Sequence, residues 1–166
     1  IITSGEVSYT MLKDPLFMPG LDRKVTVLGS GDEDVEYCRA AGWDVCSIDD
    51  ASLVLARGTF TVVTDTIQED KRTDAKAYEE ALDKTLQQAA KRKLPMLISN
   101  PDKVRPDAER PPMPGKIGDM YKTLLDDSDH GLIRRIGKPF PDVYQAAGFS
   151  KDDRLCMVGD ALETDA

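Results

Sequence analysis

Short apolar or β-branched runs alternate with stretches of helical period along this sequence, and few folds accommodate that alternation. Val25 to Leu28, Thr59 to Thr66, Leu94 to Ser99, Leu132 to Ile136 and Leu155 to Val158 read as strands. Between them, Val35, Cys38 and Ala41 recur on one helical face, as do Tyr78, Leu82, Thr85, Leu86 and Ala89 further on. Trp43, Val45 and Ile48 suggest one more strand, and Ile117, Met120, Tyr121 and Leu124 one more helix. Thr73 or Asp74 is placed to cap a long helix running to Lys93. The pattern predicts an α/β architecture with a mainly parallel sheet, because parallel neighbours need a crossover connection. Right-handed crossovers then gather the residues that follow each strand on the sheet's carboxyl edge.

Several of those residues carry chemistry. Leu155-Cys156-Met157-Val158-Gly159-Asp160 delivers a carboxylate where an apolar run stops, and Asp165 follows with the small or hydroxylated Ala161 and Thr164 between. Two such acids supply hard oxygen ligands to one cation, for which magnesium is the natural candidate. Upstream, Lys138 follows the Leu132–Ile136 run and precedes Pro139, which can open a helix ending at Gly148. Lys138 to Asp160 thus reads as a strand-helix-strand unit with an ammonium at one strand end and a carboxylate at the next. A lysine there is a point charge for a phosphate oxygen.

The stretches Ile136-Gly137-Lys138-Pro139 and Met157-Val158-Gly159-Asp160-Ala161-Leu162-Glu163-Thr164-Asp165 resemble the third and fourth motifs of the haloacid dehalogenase superfamily, in its NagD-like (class IIA) phosphatases. Ser99-Asn100-Pro101-Asp102 and Pro114-Gly115 resemble loops of that subclass's large cap, and Thr3-Ser4-Gly5 resembles the point where the chain leaves the core for it. The resemblance implies an incomplete Rossmann-like core with an inserted α/β cap of the C2 type. It places a core remnant and linker at 1–20, the cap at 21–131 and the carboxyl-terminal part of the core at 132–166. It also implies a magnesium-dependent phosphomonoester hydrolase in which Asp160 and Asp165 bind the metal and Lys138 and Asp160 are catalytic. Asn100, Asp102 and Lys138 would then meet the substrate, a small phosphorylated metabolite. A homodimer formed through the cap is compatible with the family.

The family's Asp-x-Asp nucleophile motif has no counterpart in this sequence, so the chain alone is expected to be inactive. Asp32-Glu33-Asp34 is the nearest imitation, but Val35 and Glu36 stand where the family has Gly and Thr or Val. Acids after Gly29-Ser30-Gly31 fit the positive end of a helix better. The same glycine turn, following a strand, raises a dinucleotide-binding alternative. Against it, Asp34 replaces the third glycine of that fingerprint, and Glu33 and Asp34 would oppose a pyrophosphate with like charge.

Composition narrows the remaining classes. With a formal net charge of -8, the chain as a whole repels a nucleic-acid backbone or an anionic membrane, so any phosphate site must be a local departure from that charge. No apolar run approaches the ~20 residues that span a bilayer, and no basic-then-apolar signal opens the sequence, which together predict a cytoplasmic location. Three cysteines without Cys-x-x-Cys spacing and a single histidine, His130, argue against structural zinc and for reduced thiols. His130 sits among Asp126, Asp127, Ser128 and Asp129 and reads as a solvated loop residue. The loop from Lys103 to Gly115 is long, rich in proline and basic at Arg105 and Arg110, with Lys116 just beyond, and a cap loop of this kind closes over substrate in the family. A noncatalytic module that binds a phosphorylated ligand through the cap is the alternative to the enzyme.

Overall fold

The computed structural model describes residues 1–150, 152–154 and 156. In chain order the elements are α1 (Ser4–Lys13), β1 (Lys24–Gly29), α2 (Asp34–Ala40), β2 (Asp44–Val45), β3 (Leu53–Ala56), β4 (Thr61–Val63), β5 (Gln68–Asp70), α3 (Ala75–Lys91), β6 (Met96–Ile98), α4 (Pro114–Lys122), β7 (Ile133–Arg135) and α5 (Pro141–Ala147). Among the described residues, seven strands form one sheet in the order β5-β4-β1-β3-β6-β7, with β2 also pairing β1. β1, β3, β6 and β7 are parallel, with Val25 opposite Leu53, Val54 opposite Met96 and Leu97 opposite Arg134.

The strands alternate their side chains between two helical layers. Val25, Val27, Leu53, Leu55 and Leu97 point to the layer that holds Val7, Leu12, Cys38 and Trp43. Leu28, Val54, Ala56, Met96 and Ile98 point to the other, against Tyr78, Leu82, Leu86, Ile117 and Tyr121 of α3 and α4. Sequence and cap chemistry explain the helices: the Asp74 side chain accepts from the amides of Lys76 and Ala77 at the start of α3, and Thr3 does the same for Glu6 in α1. The polar atoms of the buried Trp43 and Tyr121 rings are satisfied, Trp43 Nε1 donating to the Leu12 carbonyl at 2.9 Å and Tyr121 Oη to the Leu94 carbonyl at 2.7 Å.

Three features of the sheet go beyond the sequence pattern. β3, the centre of the sheet, went unassigned because Leu53-Val54-Leu55-Ala56 is buried on both faces and so shows no alternation. The run from Thr59 to Thr66 is a strand only over Thr61–Val63, and Gln68-Glu69-Asp70 is the returning arm of an antiparallel hairpin. Its polar side chains suit an edge strand. The third feature is at the carboxyl-terminal end of the sheet. β7 pairs with β6 in this same sheet, and Ile136 is fully buried, so the layer continues to residue 136.

The chain also arrives at the sheet and leaves it at one place. A Cβ built on Gly137 (φ +130°) would lie 3.2 Å from Ser4 Cβ and 2.5 Å from Pro101 Cδ, so the start of α1, the loop after β6 and the departure from β7 touch. Nearby, a Cβ on Gly115 would stand 1.9 Å from the Pro101 carbonyl oxygen. Gly115→Ala should therefore push α4 off the 100–102 loop and cost about 1–3 kcal/mol, read as a lower urea midpoint at unchanged m-value.

The buried thiols fit the reduced reading. Burial pushes the Cys38 thiol up to about 12 and also raises that of Cys46. Because the thiolate is the nucleophile, both should resist iodoacetamide at pH 7.5 in the native protein and react in denaturant, as mass spectrometry would show.

Candidate functional site

The carboxyl edge of the sheet is assembled from four consecutive strand ends. β1 is followed by Ser30-Gly31, β3 by Arg57-Gly58-Thr59, β6 by Ser99-Asn100-Pro101-Asp102, and β7 by Ile136-Gly137-Lys138. The edge is where an open parallel sheet binds ligands, because strand ends and loops diverge there and leave a crevice.

Asp34 organises the first two of these loops. It is 5% exposed, and its carboxylate accepts from the amides of Ser30 (3.1 Å) and Gly31 (2.9 Å), from Thr61 Oγ1 (3.0 Å) and from Arg57 Nη1 (2.7 Å). The acid thus occupies the amide donors of the glycine turn itself. A phosphate has no claim on that turn while Asp34 holds it, which removes the structural basis for dinucleotide binding there. The triplet Asp32-Glu33-Asp34 is the start of α2, as its sequence context suggested.

Arg57 is fixed from a second direction by Tyr37, whose ring centroid lies 4.3 Å from the guanidinium carbon. Burial pushes the Tyr37 phenol up to about 12, so it stays protonated and donates to the Gly5 carbonyl at 3.0 Å. Arg72, at the end of the β4–β5 hairpin, is paired with Asp70 at 2.6 Å and lies over Phe60. The hydrogen bond from Arg72, with help from its charge, holds the Asp70 carboxyl below its ordinary value.

Between these loops lies a cavity of about 440 Å³ whose basic lining residues are Arg57, Lys71, Arg72 and Arg105. Asn100 lines it too, its Oδ1 accepting from the Asp102 amide at 3.0 Å. The cavity was not anticipated from sequence except through Asn100 and Arg105. Arg57 follows a strand that no alternation marks, and Lys71 and Arg72 lie in a polar run without apolar period.

The structure brings Asn100 and Lys138 to neighbouring strand ends of a single sheet. Asp102 is half-buried, and its carbonyl accepts from the Gly115 amide at 2.9 Å. Lys138 is exposed and joined to Pro139 by a cis peptide bond. Asp160 and Asp165 lie outside the described residues. Arg110 is exposed in the loop, and Lys116 lines a smaller neighbouring depression that shares Lys71. His130 lies in the 3-10 turn Asp127–Leu132, with Nε2 3.7 Å from Asp127. No described helix is long and apolar enough to cross a membrane.

Neither a scan of family models nor a search of curated proteins gives a match. Solved structures do match. A p-nitrophenyl phosphatase from Archaeoglobus fulgidus superimposes with a TM-score of 0.62 at 20% identity, over 98% of this chain and 54% of that one. A haloacid dehalogenase-like hydrolase from Brucella suis 1330 gives 0.59 at 21%, over 88% and 47%. A glycerol phosphate phosphatase from Mycobacterium tuberculosis, in complex with calcium, gives 0.58 at 21%, over 99% and 43%. The chain therefore has the mixed α/β fold of the haloacid dehalogenase-like, NagD-type phosphatases, the group its motifs resemble. It spans about half the length of the structures it matches.

Proposed function

We propose that the protein is a phosphomonoester hydrolase of the haloacid dehalogenase type, and that the sheet described above is the cap over its active site. The observation that carries this reading is the convergence of Ser4, Pro101 and Gly137. An inserted domain needs its two connections side by side. Here they meet beside the Asn100-Pro101-Asp102 loop, with Lys138 next in the chain, so a group bound at the connections faces both.

Lys138 would supply a positive charge to a phosphoryl oxygen from the loop that follows β7. Asn100 and Asp102 orient the rest of the substrate from the neighbouring strand end. Asp160 and Asp165 are carboxylates, a donor set that fits magnesium, and the ion would offset phosphate charge that otherwise repels an attacking carboxylate. The attacking aspartate is implied by the family and is not identified among this sequence's motifs. The substrate class, a small phosphorylated metabolite, and a cytoplasmic location follow from the same reading. The alternative, a noncatalytic ligand-binding module, draws its support from the cavity, which is formed entirely within the sheet and its loops.

The test is a phosphatase screen of the full-length protein beside Lys138→Met. Hydrolysis of at least one phosphomonoester, with kcat falling about 10²–10³-fold in the variant, is expected from loss of one preorganised charge. A well-folded protein that hydrolyses none of the panel, yet binds phosphorylated ligands, would favour the module.

A further inference from the structure

The cavity at the carboxyl edge is lined by basic side chains in an acidic protein. Four of its lining side chains are basic and, among the described residues, none is acidic, in a chain of net charge -8. The four are not equivalent. Arg57 and Arg72 are each held by a close carboxylate, Asp34 or Asp70, which fixes their orientation, and Arg105 lies 3.9 Å from Asp107. The Arg57 bonds use only Nη1, so Nε and Nη2 make no hydrogen bond among the described residues. Lys71 is half-buried with no carboxylate within 4.0 Å among those residues, its ammonium lying 5.8 Å from the Tyr78 ring centroid. A cation on the cavity wall with no carboxylate in contact keeps its charge available to a bound anion. Asn100 adds direction: with Oδ1 engaged by the Asp102 amide, its NH₂ group is left to donate.

Much of the remaining wall is apolar. Phe60, Pro112 and Met113 line it together with the basic groups, and Arg72 lies over Phe60. An inorganic anion would leave that surface wet, whereas an oxyanion on a hydrocarbon or aromatic group would cover it.

We propose that this cavity binds an organic oxyanion, a carboxylate or second phosphate on an apolar group, with Lys71 as its principal charge partner and Arg57 and Asn100 as oriented donors. Resting on the phosphatase reading, the proposal goes on to define the substrate class. The phosphoryl group sits toward Lys138 after β7 and the cavity lies between the ends of β1, β3 and β6. It therefore takes the part of the substrate that departs, and the preferred substrate is a phosphomonoester whose leaving group is itself anionic.

The first experiment needs no turnover. Amide resonances of the 166-residue chain are followed during titration with benzoate, with phenylphosphonate and with benzyl alcohol as neutral control. Saturable shifts at Ser30, Gly58, Thr59 and Phe60 are expected with one or both anions, the tighter of the two naming the preferred oxyanion. Affinity should fall about tenfold in Lys71→Met, the loss of one charge-assisted bond, and not in the exposed control Lys91→Met. Equal binding of benzyl alcohol, an unchanged affinity in Lys71→Met, or shifts confined to the vicinity of Lys138 would overturn the proposal. The second experiment compares 4-carboxyphenyl phosphate with phenyl phosphate in the full-length enzyme. Lys71→Met should lower kcat/KM about tenfold for the first and leave the second unchanged; equal effects on both would count against the assignment. Failure to hydrolyse either ester would sink the phosphatase reading alone, because the titration stands without it.

Discussion

Asp34→Ala is expected to lower the unfolding free energy by about 3 kcal/mol, the lower end of what breaking a buried ion pair costs. The lower end applies because Arg57 keeps 20% of its side chain exposed and can recover some solvation. The loss is not electrostatic alone. Removing the carboxylate also strands the amides of Ser30 and Gly31 and the hydroxyl of Thr61, all of which donate to it. Asp34→Asn, which keeps one acceptor oxygen, should cost distinctly less. Urea unfolding of the two variants at a common m-value separates these contributions. If both variants unfold at the wild-type midpoint, Asp34 does not hold the β1 and β3 loops together. The same variant should weaken anion binding in the cavity, since Arg57 would lose the contact that orients it.

The second large effect concerns turnover. Asp160→Asn in the full-length protein should reduce kcat by about 10³-fold, which corresponds to several kcal/mol of transition-state stabilisation. A neutral amide is a poor ligand for a hard divalent cation, so raising magnesium to tens of millimolar should recover part of the loss. Stability should change little by comparison. A variant that retains wild-type turnover at every magnesium concentration would remove Asp160 from the site.

How far the sequence could be read depended on whether burial was one-sided. α3 was legible because Tyr78, Leu82, Leu86 and Ala89 face the sheet while the opposite side is polar, and Asp74 marks its start. β1 and β6 were legible because Gly29 and Asn100-Pro101 end them abruptly. β3 was not, since a strand buried on both faces has neither alternation nor amphipathic period, and Arg57 was lost with it. The β4–β5 hairpin was missed because its return arm, Gln68-Glu69-Asp70, is polar and stabilised by pairing rather than burial. Asn100 and Lys138 were legible as residues after strands, but that β6 and β7 are neighbours in one sheet follows only from long-range pairing. The role of Asp34 was likewise partly visible. Its position at a helix start was expected, whereas its capture of the glycine-turn amides depends on Thr61 and Arg57 arriving from distant strands.

Both functional readings place a phosphoryl group at this edge and differ in whether it is cleaved. Metal-stripped full-length protein, assayed for phosphate release from a phosphomonoester panel before and after magnesium is restored, tests the catalytic claim most directly. The account predicts negligible release without the ion and recovery on its return, with Asp160→Asn failing to recover at the same concentration. Equal release in the stripped and the reconstituted protein would contradict it.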